Sequence, residues 1–150
     1  MHSEEVKRAI ETILSLKECQ ALDSIPFPHL KETLTILQEQ GIKLAVCTNA
    51  DIPEEKYNVM EKLGILHFFD QLVISGSEGV RKPNPEILKP ILSAPGWSDM
   101  QPWEIAFVGD MLDRDIAMAH SVGLRTVWMK AREYHKEVNT KMLEKGWGIE

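Results

Sequence analysis

Three short stretches of the chain carry residue types that can do chemistry: Thr48-Asn49, Arg81-Lys82-Pro83, and Gly109-Asp110 with Asp113 and Asp115 close behind. Together they offer a hydroxyl, a fixed cation and an acidic cluster. A magnesium-assisted phosphoryl site needs that set: donors for phosphate oxygens, a balancing positive charge, and carboxylates for a hard, oxygen-seeking metal. Taken singly, each stretch has a plainer account. Thr48-Asn49 suits a helix-entry turn, a lysine before proline suits a solvated loop, and acids at a helix start are stabilised by its dipole by about 0.3–1 kcal/mol each. What singles them out is their placement, in order, after three successive strand candidates.

The elements that must position them alternate along the chain. Val6, Ile10, Ile13 and Leu14 predict a helix over 3–18, and Leu30, Leu34 and Leu37 predict another over 29–40, stopped by Gly41. Residues 43–48 read as a buried strand, followed by a polar turn and a helix from Pro53 to Gly64. Gln71 to Ser75 is the next strand, and 76–85, with two Gly and two Pro, is too irregular for either element. Pro90 predicts a short or kinked helix within 85–93. Strands at 105–109 and 125–129 flank a helix from Asp113 to Val122, closed by Gly123, and a last helix is expected at 135–145. Such alternation is the signature of an α/β fold, a parallel sheet covered by helices. Ligands of such sheets bind beyond the carboxyl ends of the strands, so the three stretches are expected to converge on one face.

Composition narrows the function classes. With 17 Lys plus Arg against 23 Asp plus Glu, the chain carries a net charge of −6 and lacks the positive field that nucleic acid binding needs. No nucleic acid partner is expected. Apolar residues at 43% and charged residues at 27% of 150 fit a soluble globular domain. No apolar run approaches the roughly 20 residues of a membrane span, and residues 1–5 lack the basic start of a signal peptide, so no membrane partner and a cytoplasmic location are expected. Cys19 and Cys47 are expected as thiols, without a disulfide or zinc site. Cys47 has Pro53 six residues on, where a cysteine phosphatase loop would need arginine. The five histidines show no ligand spacing, and the four tryptophans are expected to serve packing.

Residues 22–130 resemble the haloacid dehalogenase-like (HAD) hydrolase superfamily, in the branch whose helical cap is inserted after the first strand. Val46-Cys-Thr48-Asn49 is similar to the family's second motif, and Lys82-Pro-Asn-Pro85 to its third. Phe107-Val-Gly-Asp110-Met-Leu-Asp-Arg-Asp115 is similar to its fourth, a Gly-Asp with a second Asp five residues on. Residues 119–123 and Thr126-Val-Trp128 continue the pattern, and Ile25-Pro-Phe-Pro28 resembles the return from cap to core. The resemblance implies a Rossmannoid doubly wound parallel sheet with flanking helices, and phosphomonoester hydrolysis through an aspartyl-phosphate with Mg²⁺. It assigns Thr48 and Asn49 to phosphate binding, Lys82 to charge balance on phosphate and nucleophile, and Asp110, supported by Asp115, to the metal. Lys82 and Asp110 are thereby the candidate catalytic residues. It further implies a small phosphorylated metabolite as partner.

One motif of the family has no counterpart. An apolar strand ending in Asp-x-Asp supplies the attacking aspartate, and the one Asp-x-Asp here is Asp113-Arg-Asp115, inside the fourth motif. By this comparison the expectation is a helical cap remnant at 1–22 and an α/β core at 23–150 that lacks the usual first strand. Weak or absent Mg²⁺ binding, near-background turnover, and strand exchange or homodimer formation through the open sheet edge are expected with it. The alternative is a non-catalytic phosphate- or partner-binding module. A response-regulator receiver is excluded by order, because there the acidic pair comes first and the lysine last, whereas Lys82 precedes Asp110. The substrate itself is not legible.

Overall fold

The computed structural model describes Pro26 and residues 29–129. The helices expected at 3–18 and 135–145, the expected cap remnant at 1–22, and Cys19 lie outside the described residues. The chain divides into two compact units, residues 1–81 and 82–150.

In the first unit, helix α1 (Leu30–Glu39) buries Leu30, Thr33, Leu34 and Leu37, which the 3.6-residue period places on one face. It ends at Glu39, just before Gly41, the expected stop. The Gly41 N–H donates to Gln38 O at 2.9 Å and the Ile42 N–H to Leu37 O at 3.0 Å, which satisfies two of the last helical carbonyls. Strand β1 (Ala45–Thr48) then pairs in parallel with β2 (Gln71–Ile74), in a register from Ala45 opposite Gln71 to Thr48 opposite Ile74. The crossover between them is α2 (Pro53–Lys62), with Pro53 in its first turn, followed by a 3₁₀ turn at Leu66–Phe68. Leu34, Leu44, Val46, Met60, Ile65 and Phe68 are the centre of the core beneath this pair. Leu34 and Ile65 are completely buried, each burial favouring the fold by about 1.5–3 kcal/mol.

The β1–β2 ladder is shorter than the sequence predicts at both ends, and a side chain takes over at each. At the start, the Leu44 N–H donates to Asp70 Oδ2 at 3.0 Å, while the Asp70 N–H donates to Leu44 O at 2.8 Å. At the far end Ser75 leaves the strand and opens a single helical turn, α3 (Ser75–Glu78), inside the stretch expected to be irregular.

The second unit begins with the Lys82–Pro83 peptide, which is cis. The Asn84 side chain accepts the Glu86 N–H at 3.0 Å and so caps a 3₁₀ turn at Pro85–Leu88, which runs into α4 (Lys89–Leu92). The helix expected here is short, as Pro90 predicts, and Pro90 falls in the first turn of α4, where a missing N–H breaks no helical bond. Strand β3 (Ala106–Gly109) pairs in parallel with β4 (Arg125–Trp128), from Ala106 opposite Arg125 to Gly109 opposite Trp128. Between them lie a wide π-type turn at Leu112–Ile116 and α5 (Ala117–Ser121). The α-helix expected from Asp113 thus starts four residues later. The turn before it is widened by paired donors, with the N–H groups of Asp115 and Ile116 both directed at Met111 O, at 2.8 and 3.3 Å. Ile87, Leu88, Leu112, Ile116, Met118 and Ala119 are the most deeply buried apolar residues here. Both pairs of described strands are parallel with helices between them, as an α/β fold requires.

Candidate active site

In the second unit the turn after β3 does more than enter a helix. Asp115 is buried and folds its carboxylate back beneath the strand end, where Oδ1 accepts Lys82 Nζ at 2.8 Å and Oδ2 accepts the Met111 N–H at 3.1 Å. Lys82 is equally buried, with side-chain exposure of 4% against 1% for Asp115. Its ammonium also lies 5.8 Å from the centre of the Phe107 ring, within cation–π range. A charge so deeply removed from water persists only with a partner, and each of these two residues is that partner for the other.

The backbone beside the pair is shaped to admit it. A Cβ added at Gly109 would overlap the Asp115 side chain, so only glycine lets strand and turn approach this closely. Asp110 follows directly and is itself buried. Its carbonyl accepts the indole N–H of Trp128 at 3.1 Å, which ties the residue to the end of β4. Trp128, expected only to pack, thus has a positioning bond that no spacing signal announces. Lys82, Gly109, Asp110 and Asp115 are therefore gathered at the carboxyl end of β3.

Thr48 and Asn49 belong to the first unit, at the carboxyl end of β1, where Thr48 is buried and Asn49 half-buried. The loop they enter is held from the side by the segment after β2. The Ala50 N–H donates to Ser75 Oγ at 3.0 Å, Ser75 Oγ donates to Ala50 O at 3.0 Å, and the Gly76 N–H donates to Ala50 O at 2.9 Å. At the surface, Arg81 pairs with Asp51 at 3.1 Å. Ser75 was not legible as more than a strand residue. The available signal was a small hydroxyl residue closing an apolar run, just where the ladder partner's loop needs an acceptor.

Whether these residues suit a divalent cation turns on their oxygen atoms. Both carboxylate oxygens of Asp115 are engaged, by Lys82 and by the Met111 N–H. Asp113 Oδ1 is buried with no hydrogen-bond partner among the described residues, an orphaned acceptor of the kind a cation satisfies. No group of three or more His, Cys, Asp or Glu that could hold a metal ion occurs among the described residues. The set fits an ion of the magnesium type, which takes one or two carboxylates and completes its shell with water and phosphate, and does not fit an all-protein cage.

Comparison with known proteins accords with this arrangement of parallel α/β units. The model of the haloacid dehalogenase-like hydrolase family matches residues 2–123, and the chain belongs to that family. Glyceraldehyde 3-phosphate phosphatase of Methanopyrus kandleri is 38% identical over 109 residues, which cover 73% of this chain and 45% of the relative. Among solved structures, a protein described as a predicted phosphoglycolate phosphatase, from Haemophilus somnus, is 33% identical with a TM-score of 0.60, over 73% of this chain and 46% of its own. The magnesium-bound HAD hydrolase YfnB of Bacillus subtilis shares the fold, with a TM-score of 0.63 at 24% identity, over 70% of this chain and 44% of its own. The chain thus spans less than half the length of each of these proteins.

Proposed function

We propose that this chain carries the phosphate-handling and metal-handling residues of a HAD-type phosphomonoesterase that acts on small phosphorylated metabolites. The observation that supports this most strongly is the buried Lys82–Asp115 pair set directly against Gly109-Asp110. A protein gains nothing in stability by burying such a pair where apolar residues would pack as well. It does gain a cation of fixed position, held next to a carboxylate at a strand end.

In this reading the Thr48 hydroxyl and the Asn49 side chain donate to phosphoryl oxygens. The Lys82 ammonium, oriented by Asp115, offsets the negative charge of phosphate, and Trp128 holds the backbone of Asp110 in place. Asp110 is the carboxylate that Mg²⁺ would use, with Asp113 Oδ1 as the further acceptor. When bound, the ion would neutralise phosphate charge and polarise the phosphorus–oxygen bonds. Names among the relatives support the substrate class, a small phosphorylated metabolite, and leave its identity open.

A second reading, phosphate binding without turnover, is favoured by one feature of the sequence. Its single Asp-x-Asp is Asp113-Arg-Asp115, and Asp115 is already committed to Lys82. Calorimetric titration with inorganic phosphate in the presence of Mg²⁺, beside an aryl phosphate turnover assay, tests both readings. The expected result is millimolar phosphate binding that is lost in Thr48→Val, with turnover by this chain near the uncatalysed rate. Turnover well above that rate and abolished by Asp110→Ala would decide against the second reading. Absence of phosphate binding would overturn both.

A further inference from the structure

We propose that Ser75 is a positioning residue for the Thr48-Asn49 loop, fixing the backbone on which the phosphate donors are mounted; this rests on the phosphate-binding reading above. The ladder between β1 and β2 ends at Thr48 opposite Ile74. One residue further, β2 has turned into α3 and offers Ala50 no strand partner. The Ser75 hydroxyl replaces that partner, because one oxygen both accepts from the Ala50 N–H and donates to the Ala50 carbonyl, each at 3.0 Å. Ser75 is buried, so water does not compete freely for these bonds.

Gly76 completes the clamp. Its N–H donates to Ala50 O at 2.9 Å, and a Cβ at this position would lie 2.5 Å from Asp51 O and 2.8 Å from Ala50 O. The two segments are therefore in backbone contact, and any side chain at 76 must push the loop away. The exposed Arg81–Asp51 pair spans the same two segments, and screening by solvent leaves it a minor contribution. Asn49 and Ala50 are adjacent, so the peptide plane that Ser75 fixes is the one joined to Asn49. A donor aimed at phosphate loses its alignment when that plane rotates.

The test uses the full chain and two readouts, amide hydrogen exchange at Ala50 and the half-saturation of inorganic phosphate binding. Ser75→Ala should speed exchange at Ala50 and weaken phosphate binding about tenfold, the scale of one to two hydrogen bonds. Ser75→Thr, which keeps the hydroxyl, should restore both. Gly76→Ala should weaken phosphate binding to a similar degree by crowding the loop instead of releasing it. Unchanged exchange at Ala50 in Ser75→Ala would overturn the clamp itself. Faster exchange with phosphate binding within twofold of the wild type would show a merely structural tie and overturn the positioning role. A wild-type chain that binds no phosphate would instead overturn the reading on which the inference rests, and the inference with it.

Discussion

Lys82 and Asp115 stand or fall together. Removing one partner of a buried pair leaves the other charge without compensation, so Lys82→Met should cost about 3–5 kcal/mol in chemical denaturation. The double variant Lys82→Met/Asp115→Asn should recover more than half of that loss. Asparagine removes the orphaned charge and keeps an acceptor for the Met111 N–H. A double variant as unstable as the single one would mean that the pair is not what holds the turn. Gly109→Ala should destabilise by about 1–3 kcal/mol, the range for overpacking, because its Cβ would meet the Asp115 side chain. At this scale the sequence was informative about which residues are gathered after β3, since Gly109-Asp110 and Asp115 are close in the chain. It was silent on what Asp115 touches. That depends on a turn one residue wider than an α-helix and on a lysine 33 residues earlier, neither of which has a local pattern.

Elements were legible wherever apolar periodicity carries them, and less so where a side chain sets the boundary. All four described strands lie within residues expected to be strands, but β1 starts at Ala45 because Asp70 already satisfies the backbone of Leu44. Likewise β2 stops at Ile74 because the Ser75 hydroxyl takes the place of a ladder partner. The β1–β2 pair is thus closed at both ends by side chains from the β2 segment. Asp70→Ala should leave the buried Leu44 N–H without its acceptor, at a cost of about 1–3 kcal/mol. Native-state hydrogen exchange should show the loss first at Leu44 and Ala45, with the amides of β3 and β4 unchanged. Uniformly faster exchange across both strand pairs would mean that Asp70 supports the whole chain and not one ladder end. The short helix at Pro90 was readable because its cue is local: proline suits the first turn of a helix, where no N–H is needed.

Over the whole molecule, the fold belongs to a family of hydrolases and the chain spans less than half the length of the relatives compared above. No helix of the described residues is long and apolar enough to cross a membrane. With Asp110 proposed as the principal carboxylate for a cation, Mg²⁺ alone should bind weakly. Calorimetry at millimolar Mg²⁺ should give little heat, and less in Asp110→Asn; tight binding would show that further carboxylates complete the shell. The central proposal is that Thr48, Asn49, Lys82 and Asp110 handle phosphate, and amide NMR of the wild-type chain titrated with inorganic phosphate and Mg²⁺ tests it most directly. The account predicts saturable shifts at millimolar phosphate for the amides of Thr48, Asn49 and Ala50 and for those of Asp110 and Met111. Shifts confined to exposed lysines such as Lys89, or none at all, would contradict it.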